Sequence, residues 1–494
     1  MRYFYLLLPL ILFINTLPAK AQNWSTPVNV SNMGKHCNAP RMIVDHNRTI
    51  HAVWSLMLTQ QYRKIMYSKS ETQGDTWTVP VAIADDSLQW FALPDIACDL
   101  QNRLYVAFEG DAMDPSNSLI YMVVNDGAQW GSPFIVSENF YGSMKTKVIS
   151  DNTGRIYCFW DGWYANNSRI IYRFYENSVW SGIIIPYPIP QEYCFLTNLV
   201  VDRNNNLHCV GHHHLSNQGA NYEDVNYFSY LKSSNQWSSF EVISDTLFQK
   251  FIYRDIDLDS SQVPHFVWRQ NIHKIPSNDN ATLSRYPNES GWLPVDSVEV
   301  NYNSYYHQFV IDNNNFSNIS VSQWIDLPNN VHISYLKNYR QINNSWVAEI
   351  IDTIIGVFFE PNLIKLNNNE IGIIYYKGSA GNYSVADIYF SKYNIFTNIK
   401  PNELPAINML ITPNPFTTLT EITYTLSTQC QVLLDIFDIN GKLITRLTDQ
   451  TQSPGKYCIA WQGIGANAKE VSKGLYFVRL QAGCNVYTFK IAKQ

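Results

Sequence analysis

The chain has 494 residues and a formal net charge of -6, which leaves room for one large domain plus a small one and argues against binding nucleic acid or an anionic membrane surface. Only 15% of the residues are charged while 14% are aromatic, including 32 Tyr and 14 Trp, a mix suited to strands and sugar-facing surfaces rather than to helices. The eight cysteines are scattered without a C-x-x-C pair, so neither a zinc site nor a cofactor is expected, and disulfide pairing stays open.

In chain order, Met1-Arg2 opens a short basic region, Tyr5 to Ile14 is apolar but too short to span a bilayer, and Ala19-Lys20-Ala21 is an A-x-A cleavage site. Residues 1–21 therefore read as a signal peptide, with the mature chain starting at Gln22. No later stretch is long and apolar enough to be transmembrane.

Residues 22–396 carry a repeat. Trp24, Trp77, Trp130, Trp180, Trp237, Trp292 and Trp346 are separated by 53, 53, 50, 57, 55 and 54 residues, each opening a strand. An apolar strand closing on a turn acid follows, at Asp45, Asp99, Asp151, Asp202, Asp259 and Asp312. Next comes a strand ending in an aromatic, at Trp54, Phe108, Trp160, Trp268, Trp324 and Tyr375, and then one built on Ile65-Met66-Tyr67 and its echoes as far as Ile388-Tyr389. Four short strands repeated seven times predict an all-β, seven-bladed β-propeller. Because the last repeat lacks a Trp strand, Trp24 to Val30 is expected to complete it and close the ring.

Within the first repeat, Ser70-Glu71-Thr72-Gln73-Gly74-Asp75-Thr76-Trp77 resembles the Asp-box hairpin of sialidase-like propellers, with Thr72 in place of the defining aspartate. The resemblance implies the fold and says little of chemistry. Arg41, Arg254 and Arg269 fall near strand ends that could share one face, as a sialidase arginine triad requires. The Arg-Ile-Pro motif of that family is missing, however, and nothing marks its Tyr-Glu pair.

Comparing the repeats with one another separates scaffold from exception. The residue after each strand-end aromatic is polar and variable: Ser55, Glu109, Asp161, His212, Arg269, Tyr376. That pattern suits a ligand-facing rim, or else unconstrained loop residues. Trp163 follows Asp161 on the same rim. Aromatic entry loops, including Trp90-Phe91, Tyr193 with Phe195, Tyr305-Tyr306-His307 and Phe358-Phe359-Glu360, are expected to open on one face, where rings stack on sugars or plug gaps between blades. Asp257 stands where the other repeats have Ile43, Ala97, Ile149, Val200, Val310 and Ile364, so Arg254 or Arg269 is its expected partner, or else its pKa is raised. His212-His213-His214 offers at most two convergent ligands, because neighbouring strand residues point to opposite faces. The candidate ligand-binding set is Glu109, Asp161, Trp163, His212, Arg254, Arg269, Tyr305, Tyr306 and His307, with Asp257, Tyr305 and His307 as candidate catalytic groups.

After a linker at 397–409 containing Pro401 and Pro405, the chain ends in a small β-sandwich pattern: Thr412-Pro413-Asn414-Pro415-Phe416, the alternating Ile422 to Leu426, Val432 to Lys442 with its Asn440-Gly441, and Gly474 to Leu480. Residues 410–494 resemble the C-terminal sorting domain of the type IX secretion system of Bacteroidetes. The resemblance implies Sec export followed by type IX passage, to the medium or the outer cell surface, with the secretion machinery as partner. Three functions stay open: a propeller that binds extracellular glycans; one that also processes them, through two carboxylates among Asp161, Glu109, Asp257, Asp326 and Glu360 or a His307–Tyr305 pair; and a surface adhesion or protein-interaction module without chemistry.

Overall fold

The computed structural model describes residues 24–394 and 409–494 apart from 60–61, 86–90, 111–117, 139–141, 165–166, 188–191, 216–223, 245–250, 272–279, 289–290, 302–303, 328–330, 343–344, 356–358, 369, 380–381, 427–428, 439–442, 467–468 and 483–484. The expected signal peptide, and the expected linker apart from Met409, lie outside the described residues. The chain divides into two compact units, 22–395 and a second that contains 396–494. Every regular element among the described residues is a strand, as the alternating, aromatic-rich sequence requires.

In the larger unit each repeat folds into an antiparallel sheet in strand order. The first repeat runs His36–Val44, Ile50–Met57, Arg63–Ser70 and Val81–Ala84, and the second runs Ala92–Cys98, Leu104–Gly110, Leu119–Asn125 and Phe134–Ile135. The seventh has Pro361–Asn367, Glu370–Ser379 and Asn382–Asn394, and it takes Val28–Asn29 from the chain's start, Val28 opposite Phe390 and Trp24 bridged to Tyr393. First strands of successive repeats contact one another, and that of the seventh contacts that of the first.

The core lies between neighbouring sheets rather than within any one. Val53, Ile65 and Tyr67 of the first repeat share a buried cluster with Phe91, Val106 and Phe108 of the second. Trp54, Met42 and Ile50 of the first likewise share one with Ile374, Ile388 and Phe390 of the seventh. The periodic tryptophans serve these seams, each reaching back one repeat: Trp130 packs on Tyr67, Trp237 on Tyr172, Trp292 on Tyr227, and Trp77 on Phe390. Thr72 takes the missing aspartate's place in its hairpin, accepting the Thr76 N–H at 2.8 Å.

The turn acids are local staples. Asp45, Asp99, Asp151, Asp202, Asp259 and Asp312 each accept two backbone N–H groups, two and four residues on. A second latch crosses the seams on this face. Asn102, Asn205, Gln262 and Asn315, all at positive φ, accept the His46, Asn152, Arg203 and Ser260 N–H groups of the preceding repeat.

The smaller unit packs a three-stranded sheet, Leu410–Thr412, Thr420–Leu426 and Gly455–Trp461, with a four-stranded one, Leu443–Gln452, Cys430–Asp438, Gly474–Ala482 and Asn485–Lys493. Ile422, Tyr424, Val432, Leu434, Trp461, Val478 and Ile491 fill its core. Cys37, Cys98, Cys158, Cys209, Cys430 and Cys458 are free thiols.

Candidate functional site

Strand register gives equivalent positions their geometry. Arg41 pairs with Val53, Asp95 with Ala107, Lys147 with Phe159, Asn198 with Val210, Asp255 with Val267, Gln308 with Ser320 and Asn362 with Ile374. These seven first-strand residues form a polar set that no exception among the repeats marks, because at this position polarity is the rule. Three of them receive a backbone N–H of the next repeat: Val148 to Asp95 at 2.9 Å, Phe309 to Asp255 at 2.7 Å and Met42 to Asn362 at 2.9 Å. Asn198 donates to Asp255, whose pKa burial nonetheless raises to about 6.

The same register corrects the sixth repeat. Val321, not Trp324, stands at the Trp54 position, and the polar residue beyond it is Ser322. The sequence placed the aromatic three residues too late, since neither strand end carries a turn signal strong enough to set register.

In six of the seven repeats the first strand bulges just before its polar-set residue, within 38–41, 92–95, 144–147, 196–198, 252–254 and 305–308. Ala39, Leu93 and Lys145 take positive φ there. The variable polar residues hold these bulges from the neighbouring repeat. Ser55 accepts the Leu93 N–H at 3.2 Å, Glu109 that of Lys145 at 2.5 Å, and Asp161 that of Leu196 at 3.2 Å; Glu360 of the seventh repeat accepts that of Ala39 at 3.3 Å. Burial raises the pKa of Glu109 and Glu360 and takes that of Asp161 to about 7. The expectation of a solvent-facing rim is thereby revised: Glu109, Asp161, His212, Arg254, Arg269 and His307 are all buried, and Trp163 alone of the described candidates is open, at 54%.

Two groupings emerge at the bulged end. On repeats two to four, the exposed Lys145 sets its ammonium 5.4 Å from the Phe195 ring, which stacks on His212 at 4.3 Å. The same ammonium lowers the pKa of Glu109 and Asp161 against their burial. Phe195 is one of the aromatic entry-loop residues named from sequence, whereas Lys145 carried no signal there beyond being the one cation at its repeated position. On repeats five and six stand Arg254, Arg269 and His307, whose Nε2 lies 3.2 Å from the Thr282 hydroxyl. Burial, and then the charge of Arg269, hold the His307 imidazole neutral down to about 3.

Other candidates go elsewhere. Asp257 does not pair with Arg254 or Arg269; it meets Lys365 at 3.0 Å and accepts the Ile311 and Leu258 N–H groups. Phe91 and Phe359 are gap-fillers, packed edge-on against Phe108 and Tyr375. The side chains of Tyr305, Tyr306, His213, His214 and Asp326, and of Trp90, Tyr193 and Phe358, lie outside the described residues. Among those described, no group of three His, Cys, Asp or Glu could hold a metal ion.

Residues 410–494 match the family described as the secretion system C-terminal sorting domain. The chain therefore ends in a type IX sorting domain and is exported to the cell surface or secreted; no described helix is long and apolar enough to cross a membrane. No curated protein matches the chain. Among solved structures, it resembles an ulvan lyase of polysaccharide lyase family PL25, with a TM-score of 0.54 and 14% identity over 74% of this chain and 95% of that one. It also resembles the NanB sialidase of Streptococcus pneumoniae (TM-score 0.39, 10% identity, 75% and 70% covered) and an α-L-arabinanase of Penicillium chrysogenum (0.43, 12%, 74% and 98%). These neighbours are β-propeller enzymes of glycans; at such identities the likeness is one of fold.

Proposed function

We propose that the chain is a secreted or surface-held seven-bladed β-propeller, closed by its N-terminal strand, whose bulged face binds an extracellular glycan. The observation that carries this is the break in the repeat at that face: the exposed ammonium of Lys145 over the Phe195 ring, where the first two repeats present Ala39 and Leu93, with Trp163 exposed on the same repeat as Lys145. Aromatic rings stack on the C–H faces of the linked sugars of a glycan, while polar groups take their hydroxyls. Glu109, Asp161, His212, Arg254, Arg269 and His307, all buried, lie behind that face, and Tyr305 and Tyr306 stay candidate contacts from sequence. The export route places such a protein where polysaccharides are met.

The enzyme version of this proposal is polysaccharide lysis, favoured by His307 beside Arg269. A uronate carboxylate at Arg269 cancels the charge that, after burial, depresses the imidazole, and a neutral imidazole accepts a proton. A glycan array, run beside an assay for unsaturated uronate ends, tests both. Binding that weakens tenfold or more in Trp163→Ala and Lys145→Ala is the expected result. Failure of the parent to bind any glycan overturns the proposal in favour of an adhesion module.

A further inference from the structure

At the opposite end of the first strands, where the turn acids lie, the fourth to seventh repeats line a half-open cavity of about 210 Å³. We infer that this cavity is a second binding site, for one neutral monosaccharide residue, separate from the bulged face and independent of what that face binds.

The internal comparison points to it. At the register of Asp257 the other six repeats are apolar. At that of Lys365 they carry Val44, Cys98, Ser150, Val201, Leu258 and Ile311. Only the fifth and seventh repeats put charges on these positions, and the two side chains meet at 3.0 Å inside the cavity, across the sixth repeat between them. Both remain open to it, Asp257 at 14% and Lys365 at 36%. An ion pair this exposed adds little to stability, so packing alone does not account for the two coincident exceptions.

The chemistry of the lining selects the ligand. Arg203 and Lys365 face Asp257 and Asp259, while the remaining acid, Asp312, is neutralised by Arg340 at 2.8 Å. The formal charges balance, so a net ion gains nothing by entering. Among the described residues no aromatic ring lines the cavity, which removes the platform that flat or apolar ligands need. What remains is a close set of carboxylate, ammonium, guanidinium and amide groups, with Asn313 among them, able to accept from and donate to several hydroxyls at once. The walls are built before any ligand arrives, because Gln262 holds the Arg203 N–H at 2.8 Å and Asn315 holds that of Ser260 at 2.9 Å. The volume suits one pyranose, and the open side leaves room for a chain to continue from it.

The test uses the intact secreted protein and titration calorimetry with glucose, galactose, mannose, xylose, arabinose and rhamnose, and with glycine and glucuronate as zwitterionic and anionic probes. At least one neutral sugar is expected to bind, with affinity falling tenfold or more in Lys365→Met and in Asp257→Asn. Trp163→Ala is expected to leave that binding unchanged. Asp257→Asn keeps an oxygen for the Ile311 N–H, and Lys365→Met touches no backbone group, so at least one variant stays folded. Binding of glycine or glucuronate alone, absence of any neutral-sugar binding, or sugar binding that survives in both folded variants overturns the inference. Loss of neutral-sugar binding only in Trp163→Ala does so too, and assigns the sugar to the bulged face.

Discussion

A single carboxyl shows how a position that varies between repeats becomes a structural device. Asp161 is buried and holds the Leu196 N–H, and its pKa stands at about 7 against 3.8 in the unfolded chain. Between those values the folded protein keeps a proton that the unfolded chain has lost, so this group's contribution to stability falls as pH rises from about 4 to about 7. Asp161→Asn is expected to flatten that part of a urea-unfolding profile, each pKa unit being worth ~1.4 kcal/mol. His307 acts in the opposite direction: neutral in the folded protein down to about 3 but titrating at 6.5 when unfolded, it withdraws stability as pH falls through that window. His307→Gln should remove this acid-side loss, and unchanged profiles in both variants would refute the burial argument. Two tryptophans mark the contrast with the surface. Trp54→Ala, at a fully buried seam position, is expected to cost ~3–5 kcal/mol, whereas Trp163→Ala should stay within about 0.5 kcal/mol of the parent, measured by the same unfolding.

Among the elements, the short N-terminal strand matters more than its length suggests. Val28–Asn29 is the fourth strand of the last sheet, and Trp24, at 3% exposure, fills the seam between the sixth and seventh repeats beside Leu336 and Tyr375. Deleting 24–30 bares the edge of Asn382–Asn394 and empties that seam. A melting temperature lower by several degrees or more, with concentration-dependent association, is expected by calorimetry and light scattering. A monomer that melts with the parent would show that the strand is ornamental. The first strands carry a different burden: their bulges turn the backbone N–H of residues such as Leu93 and Lys145 toward the neighbouring repeat, which is why a carboxylate or hydroxyl is needed there.

For the whole molecule, the two units have different tasks. The larger one has its own seams and its N-terminal strand paired to its last repeat, and the smaller has a separate core around Trp461 and Val478. Removing 406–494 is therefore expected to leave a folded propeller unit that accumulates in the periplasm, read by fractionation and immunoblotting. Wild-type amounts of the truncated chain in the medium would break the link between this domain and export.

The sequence by itself determined the strand-only class, the period near fifty-three residues, the partner strand of the last repeat and the C-terminal address, because each is written in local pattern: a tryptophan spacing and an alternation bounded by turn residues. It also exposed Asp257 as an exception, since seven copies in one chain supply their own comparison. It did not show that Lys365, 108 residues later in number, is the partner rather than Arg254, three residues before. Nor did it show that Glu109 and Asp161 grip the bulges of the next repeat, or that Val321 and not Trp324 occupies the scaffold position. Those outcomes depend on which residues of different sheets come face to face, and a shift of one residue in register sends a side chain to the other face. Only the tertiary structure decides this, because the contacts that set register are made between repeats, and pattern within a repeat does not record them.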